Sequence, residues 1–261
     1  MGPSMHFPVY IRLFGFSIHP HLLFESLGYS IGFLVFHLLK RRLGDAVPQD
    51  VRWSVIAAAA FGAAAGSKLL YWLEDPQRIV THWNSFAIVW GGKTIVGGLI
   101  GGLIAVEWTK KKLGYRDRTG DLFAVPLCVG TAIGRTGCFL TGLEDDTYGR
   151  ATSLPWGVDF GDGIARHPTQ LYEILFLVVL GGLLFLAMRR QHTQGDIFKG
   201  FMVGYFTWRL AIDFLKPDPR YFGMNSLQWA CLGILLYYAR DIKRWISYRP
   251  QARAALAAGE S

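Results

Sequence analysis

Long apolar runs separated by short polar stretches dominate the chain. The seven runs are Ser17–Leu39, Trp53–Trp72, Phe86–Val106, Leu122–Leu140, Leu171–Met188, Phe198–Leu215 and Leu227–Tyr238. Most are long enough to cross a hydrocarbon core of about 30 Å with some tilt; the last is short and can begin near Met224. The pattern predicts an all-α polytopic membrane protein, with seven transmembrane helices forming a single domain over residues 1–261.

The basic residues between these runs are distributed unevenly. Of the 27 lysines and arginines, 17 lie on the side that follows the first, third, fifth and seventh runs, counting Lys199 at the edge of the sixth run; six lie on the other side and four lie deeper inside runs. The positive-inside rule therefore predicts an external amino terminus and a cytoplasmic carboxyl terminus. The net charge of +8 is then an orientation signal that also attracts anionic membrane lipids, and it does not indicate nucleic-acid binding.

Two polar segments differ from the short basic connections. Residues 141–170 are acidic and aromatic, with turn signals at 154–157 and 161–163. A connection of this length favours a small external cap between helices four and five with a functional role. Residues 250–261 are rich in alanine and are predicted to form a disordered cytoplasmic tail.

Five ionisable residues inside the runs share one depth. In the predicted topology Lys68, Arg135 and Arg209 come late in helices that run outward. Glu25 and Lys93 come early in helices that run inward. All five therefore lie in the outer half of the membrane, where intramembrane charges commonly mark a functional site.

Each of these charges also has a structural interpretation. The lysines can extend to the interface, and Glu25 can pair with one of them. Arg209 and Asp213 are one helical turn apart and can neutralise each other. Arg135 has no acid nearby within its own span, and an arginine at the helix centre costs roughly 3 kcal/mol. The sequence therefore favours a functional use for Arg135.

A polar stripe on helix six and a histidine before helix five extend this group. Tyr205, Arg209 and Asp213 recur every four residues and so share one helix face. His167, a residue type that can donate or accept a proton, enters at the same level. Two arginines facing an outer-leaflet cavity suit a phosphate diester, because guanidinium groups bind phosphate oxygens and stabilise charge on a departing phosphate. These features predict a protein that handles phospholipids at the outer leaflet.

Cysteine and glycine usage adds further expectations. The three cysteines, Cys128, Cys138 and Cys231, lie in predicted spans; no Cys/His spacing indicates a metal site, and no phosphate-binding loop is present. No metal or cofactor is expected. Glycines and alanines in the second and third runs favour close helix packing, and Gly97 and Gly98 could also let a lipid headgroup approach the backbone.

Four motifs together resemble the prolipoprotein diacylglyceryl transferase family. They are Gly-Arg-Thr-Gly-Cys-Phe at 134–139, Tyr-Gly-Arg at 148–150, His-Pro-Thr-Gln-Leu-Tyr-Glu at 167–173, and the Tyr205, Arg209, Asp213 series followed by Lys-Pro-Asp at 216–218. The Gly-Gly-Leu-Ile-Gly segment at 97–101 also fits, so the likeness runs from helix one to helix seven.

This resemblance implies a reaction and a location. The family transfers diacylglycerol from phosphatidylglycerol to the lipobox cysteine thiol of a prolipoprotein and releases glycerol phosphate, at the outer leaflet of the bacterial cytoplasmic membrane. The implied partners are phosphatidylglycerol or a similar phospholipid, the prolipoprotein and the surrounding lipids. The implied catalytic residues are Arg135, Arg209, His167 and Tyr205. The implied substrate-binding residues are Arg135, Arg209, Lys93, Gly97, Gly98, Cys138, Glu144, Arg150, Gln170, Glu173 and Asp213.

Within this resemblance, Arg135 and Arg209 would clamp the phosphate, and Tyr205 and Asp213 would orient Arg209. The chain departs from the family pattern at Val96, where a histidine is usual, and at Cys138, where an asparagine is usual. His167 or an acid of Glu144–Asp146 could then be the base. The alternative function is a paralogous transferase that moves a glycerolipid or headgroup to a non-protein acceptor.

Overall fold

The structure, a computed structural model, describes residues 6–247 apart from the side chains at 87, 88 and 90. The predicted tail at 250–261 lies outside the described residues. The helices are α1 Pro20–Leu43, α2 Gln49–Glu74, α3 Pro76–Thr81, α4 Phe86–Gly91, α5 Ile95–Lys112, α6 Asp121–Thr141, α7 Thr169–Met188, α8 Asp196–Ile212 and α9 Ser226–Tyr237. Two short antiparallel strand pairs join β1 Ile11–Leu13 to β2 Phe16–Ile18, and β3 Val158–Asp159 to β4 Ala165–Arg166.

Four helical segments are long and apolar enough to cross a membrane by length and composition. They are Pro20–Leu43, Gln49–Glu74, Asp121–Asp145 and Thr169–Met188. Helix α8, with 17 residues, and α9, with 12, are shorter. The chain is thus a mostly helical, multi-pass membrane protein, as the apolar runs predicted.

The third apolar run does not form one continuous helix. It divides into α4 and α5, with residues 92–94 between them. Thr94 ends the break, because its side-chain oxygen accepts the backbone N–H of Gly97 at 3.1 Å while its own N–H donates to Ser67 Oγ at 2.9 Å. The prediction of one continuous helix over Phe86–Val106 was wrong, since a polar N-cap starts a new helix inside the run.

Glycines bring two pairs of helices into backbone contact. A Cβ on Gly66 of α2 would lie 2.4 Å from the carbonyl oxygen of Gly97 on α5. A Cβ on Gly137 of α6 would lie 2.8 Å from Phe24 Cβ and 3.2 Å from His21 Cα of α1. The predicted close packing through small residues is confirmed. As a consequence, the first turn of α1 lies directly against the last turn of α6.

The core places the ends of α6, α7 and α8 together. These three helices contact one another, and their buried apolar residues include Cys128, Leu177, Phe201 and Phe206. Helices α6, α7 and α8 each run antiparallel to the next along the chain. Helix α7 therefore begins at the end of the molecule where α6 and α8 finish. Polar residues late in α6 and α8 and early in α7 therefore converge.

A separate ion pair holds the opposite end of the molecule. Arg52 on α2 bonds to the carboxylate of Asp45 in the α1–α2 connection, and its Nη1 donates to the carbonyl oxygen of Thr119 at 2.6 Å. The two charged side chains are 3% and 4% exposed. Burial alone would raise the pKa of Asp45, but the bonds and charge of Arg52 outweigh burial and lower it.

Candidate active site

One carboxylate joins three of the predicted site residues. Glu173 Oε2 lies 2.9 Å from Arg135 Nε and 3.6 Å from Arg209 Nη1. The Tyr205 hydroxyl donates to Glu173 Oε1 at 2.6 Å. Glu173 is on α7, whereas the arginines come from α6 and α8. The fold thus supplies Arg135 with the acid that its own span lacks.

Arg209 also binds a second acid. Its Nη2 donates to both carboxylate oxygens of Asp213, at 2.9 and 3.1 Å. Lys216 Nζ lies 3.5 Å from Asp213 Oδ1. The pairing predicted from the four-residue spacing is confirmed, and Lys216, which the sequence placed only in a connection, joins the network. Tyr205 reaches Arg209 through Glu173 rather than directly.

These five charged groups form one buried network. Their relative exposures are 6% for Arg135, 3% for Glu173, 3% for Arg209, 1% for Asp213 and 6% for Lys216. Two further acids, Glu74 and Asp218, also interact electrostatically with its cations. Its two guanidinium groups, those of Arg135 and Arg209, are of the donor type that binds the oxygens of a phosphate diester.

Two donors in the network also lack acceptors. Among the described residues, Arg135 Nε and Arg209 Nε are buried N–H groups without a hydrogen-bond partner. Arg135 Nε is close to the Glu173 carboxylate, but its N–H is not aimed at that oxygen. Buried N–H groups are usually satisfied, so both guanidinium groups retain the capacity to bind an anionic oxygen.

A second polar cluster begins at Lys93. Its amino group bonds to the Glu25 carboxylate, which confirms the expected pairing of Glu25 with one of the lysines. Glu25 Oε2 is 3.5 Å from His21 Nε2, and His21 Nδ1 is 2.7 Å from Asp145 Oδ1. The chain of contacts therefore leads from the start of α5 through α1 to the end of the 3-10 turn Gly142–Asp145 that follows α6.

Cys138 connects the two clusters. Arg135 Nη1 lies 3.8 Å from Cys138 Sγ. A ring nitrogen of His21, the Cys138 sulfur and an Asp145 oxygen all lie within 4.8 Å of one another, in a geometry that could hold a metal ion. The Cys/His spacing indicated no such site. Only the packing of α1 against α6 brings these ligand types together.

The predicted cap is folded against the helices. Phe160 is 2% exposed, and its ring centroid lies 5.1 Å from that of Phe7 and 5.8 Å from that of Phe139. Thr169 Oγ1 donates to the Thr147 carbonyl oxygen at 2.7 Å. The segment therefore has its own apolar centre and a fixed position beside α6 and α7.

Several predicted site residues take part in this cap rather than in the arginine network. His167 Nδ1 is 3.3 Å from the Tyr172 hydroxyl. Arg150 Nε donates to the Lys216 carbonyl oxygen at 3.1 Å, and Gln170 Nε2 to Thr147 Oγ1 at 3.2 Å. These contacts tie the cap to the segment after α8 and to the start of α7.

The remaining predicted residues lie at the edges of the two clusters. Glu144 Oε2 is 3.7 Å from His19 Nε2. A Cβ on Gly97 would meet the Gly66 carbonyl oxygen at 2.3 Å, whereas Gly98 has its nearest neighbours beyond 3.5 Å. Gly97 is therefore a helix-packing residue in this structure, and Gly98 has more room on its free face.

The fold and the site together define a multi-pass membrane protein with a buried arginine–carboxylate network at one end of its helices. The family model of prolipoprotein diacylglyceryl transferase matches residues 8–239, and the chain belongs to this family.

Individual relatives agree with the family match. The chain is 33% identical over 236 residues to the phosphatidylglycerol–prolipoprotein diacylglyceryl transferase of Geobacter sulfurreducens, covering 82% of this chain and 84% of the relative. It is 31% identical over 268 residues to the protein of that name from Bordetella parapertussis, covering 91% and 97%. The similarly named protein of Clostridium tetani is 30% identical over 220 residues, covering 82% and 86%.

Sequence reasoning overlooked His21 as a member of this polar cluster, and it gave Lys216 no charge role within the Lys-Pro-Asp motif. No local spacing links His21 to Cys138, because they lie at opposite ends of different helices. Asp145 was considered only as one acid of a run. A usable signal is the proximity of Lys216 to Asp213, which are three residues apart at the end of α8.

Proposed function

We propose that this chain transfers the diacylglyceryl group of phosphatidylglycerol to the lipobox cysteine thiol of a prolipoprotein, releasing glycerol phosphate. The observation that carries the proposal is the shared carboxylate of Glu173, which holds the guanidinium groups of Arg135 and Arg209 together at one buried position. A phosphate diester would offer anionic oxygens to the buried Nε–H groups of Arg135 and Arg209, which lack acceptors.

The names of the relatives support both substrates. The proteins of Geobacter sulfurreducens and Bordetella parapertussis are named for phosphatidylglycerol and for prolipoprotein. This favours a protein thiol as acceptor over a non-protein acceptor. Diacylglyceryl transfer also requires a site beside the membrane lipids, which suits a network at the ends of apolar helices.

The proposed roles follow from the contacts. Arg135 and Arg209 bind the phosphate oxygens and stabilise the negative charge that grows on the leaving glycerol phosphate. Asp213 fixes the guanidinium of Arg209 through two hydrogen bonds. Tyr205 fixes Glu173, which in turn spaces the two arginines. His167, Gln170 and Arg150 shape the cap beside the network.

The proposed topology has seven membrane crossings, with the amino terminus outside and the carboxyl terminus in the cytoplasm of a bacterial inner membrane. Helices α4 and α5 together form the third crossing, and α9 continues into the helical residues 239–247. The excess of basic residues on one side supports this orientation. In this orientation the network lies at the outer leaflet and residues 141–170 form an external cap. The whole chain is one domain.

The test is transfer from labelled phosphatidylglycerol to a lipobox peptide by the purified protein. Arg135→Ala should lower the rate by about 10²–10³-fold, the usual effect of removing a donor to a developing anion. Arg78→Ala, at an exposed position on α3, is the matched control and should transfer normally. Full activity of Arg135→Ala would refute the assigned role of the network.

A further inference from the structure

Three side chains of different ligand type meet between α1 and the end of α6. His21 is in the first turn of α1, Cys138 is in the last turn of α6, and Asp145 ends the following 3-10 turn. One ligand atom from each lies within 4.8 Å of the others. Gly137 makes this approach possible, because any larger residue would meet the His21 backbone.

The ligand set matches zinc better than a hard cation. Zinc binds imidazole nitrogen, thiolate sulfur and carboxylate oxygen at about 2.0–2.3 Å, and catalytic zinc sites commonly have three protein ligands and one open position. Tetrahedral ligands at these bond lengths lie about 3.3–3.8 Å apart. The three atoms can reach that geometry by side-chain movements of about 1 Å or less.

Two of the three side chains, His21 and Asp145, also have an outer partner. Thr147 Oγ1 donates to Asp145 Oδ2 at 2.6 Å, which leaves Oδ1 facing His21. Glu25 Oε2 lies 3.5 Å from His21 Nε2, so Nδ1 is the nitrogen that faces Asp145. Carboxylate and hydroxyl partners of this kind orient the ligands of zinc sites and strengthen metal binding.

The surrounding charges permit a bound cation. The two neighbouring cations are already paired: Arg135 with Glu173 at 2.9 Å, and Lys93 with Glu25. On the far side, Glu144 is 3.7 Å from His19. Asp145 and an ionised Cys138 would bring two negative charges to the ion, so the ligand set would neutralise a divalent metal.

We propose that His21, Cys138 and Asp145 bind a zinc ion whose open fourth position takes the sulfur of the acceptor thiol. This assignment rests on the proposed function, because it names the group that activates the acceptor. The His21 side chain is 32% exposed, which gives the thiol a route to the metal. Arg135 contacts Cys138 at 3.8 Å, so the bound sulfur would lie beside the phosphate-binding network.

The step is an alkylation of sulfur without any redox change. Coordination to zinc releases the proton of the acceptor thiol, because a coordinating thiol is deprotonated. The thiolate attacks the glyceryl carbon and forms the C–S bond, while the C–O bond to phosphate breaks and its electron pair stays on the departing glycerol phosphate. The released proton goes to external water or to that phosphate. The thioether product is a weaker ligand and leaves the metal.

The first experiment measures metal alone. The full-length protein is purified in detergent, stripped with a chelator, reloaded with zinc and analysed for metal per chain; cobalt(II) loading reports a thiolate ligand by its charge-transfer absorption. We expect one tightly bound zinc in the wild type and in the control Cys231→Ala, whose thiol lies in the apolar core. Cys138→Ala and Asp145→Asn should lose the ion, and Thr147→Val should bind it about 10–100-fold more weakly.

Wild-type protein that binds no more zinc than Cys138→Ala would overturn the site. So would cobalt binding without a thiolate band. Circular dichroism and thermal unfolding of each variant separate loss of the ligand from loss of the fold, and Thr147→Val provides a graded change that does not remove a ligand.

The second experiment measures transfer by the stripped and the reloaded protein. We expect the transfer rate to fall by at least about 100-fold when the metal is removed, a loss within the range attributed to activation of a reacting group. Reloading with zinc should restore the rate. Full transfer by the stripped protein would refute the zinc role and leave the proposed function intact. No transfer by zinc-loaded wild type would refute the proposed function, while the metal measurements would still decide the site.

Discussion

The hydroxyl of Tyr205 donates a 2.6 Å hydrogen bond to Glu173, and both side chains are buried between α7 and α8. This bond restrains the carboxylate that two arginines share. Without it, Glu173 could rotate toward either guanidinium and change the spacing between them.

Removal of this hydroxyl should therefore impair transfer. Tyr205→Phe keeps the ring stacked on Phe201 and removes a hydrogen bond to a charged group, worth about 1.5–3 kcal/mol. We expect kcat/KM for phosphatidylglycerol to fall by about 10–100-fold. Tyr237→Phe, an exposed tyrosine on α9, is the control, and equal rates for both variants would contradict the role of the bond.

Neutralising the shared carboxylate should destabilise the protein. Glu173→Gln keeps the shape of the side chain but leaves Arg135 and Arg209 facing each other without the charge between them. Breaking a buried ion pair from one side costs about 3–5 kcal/mol, measured as the free energy of unfolding in detergent. Glu144→Gln, at a position 63% exposed, should change stability by less than about 0.5 kcal/mol. A stable Glu173→Gln protein would show that the network is not held by charge.

Enlarging one glycine should separate α1 from α6. A Cβ at Gly137 would lie 2.8 Å from Phe24 Cβ and 3.1 Å from the Pro20 carbonyl oxygen. We expect Gly137→Ala to lower stability by about 1–3 kcal/mol, the usual cost of overpacking. Gly134→Ala is the control from the same helix, since nothing lies within 4 Å of its Cβ, and helix propensity should stabilise it by up to about 1 kcal/mol. Similar unfolding of both variants would refute the close contact.

The ion pair at the opposite end predicts a pH dependence of stability. The pKa of Asp45 is lowered in the folded protein, so its contribution is present above the unfolded pKa of about 3.9 and is lost as the pH falls through the folded value. Thermal unfolding of the wild type should therefore weaken below about pH 4. Asp45→Asn should be less stable at neutral pH and lose less on acidification. The control Asp117→Asn, at an exposed position, should show the same pH dependence of thermal unfolding as the wild type. If the stability of Asp45→Asn fell with pH in parallel with the wild type, Asp45 would not be the source of the pH dependence.

The amino-acid sequence by itself determined the helical membrane class, the pairing of Arg209 with Asp213 and the family motifs. Each of these depends only on residues that are close together along the chain: apolar runs long enough to cross a membrane, a four-residue spacing on one helix, and contiguous sequence motifs. The charge distribution likewise predicts an orientation without reference to any contact.

The tertiary structure alone decided which charges of different helices meet. Glu173 lies between Arg135 and Arg209 because α7 packs against α6 and α8, and no spacing within one helix could indicate that contact. Likewise, His21 reaches Cys138 and Asp145 because Gly137 admits the start of α1. The polar cap at Thr94 interrupts an apolar run that hydropathy treats as continuous. In the first two cases the deciding quantity is the distance between helices, which depends on side-chain volume at their crossing points rather than on the residues that carry the chemistry.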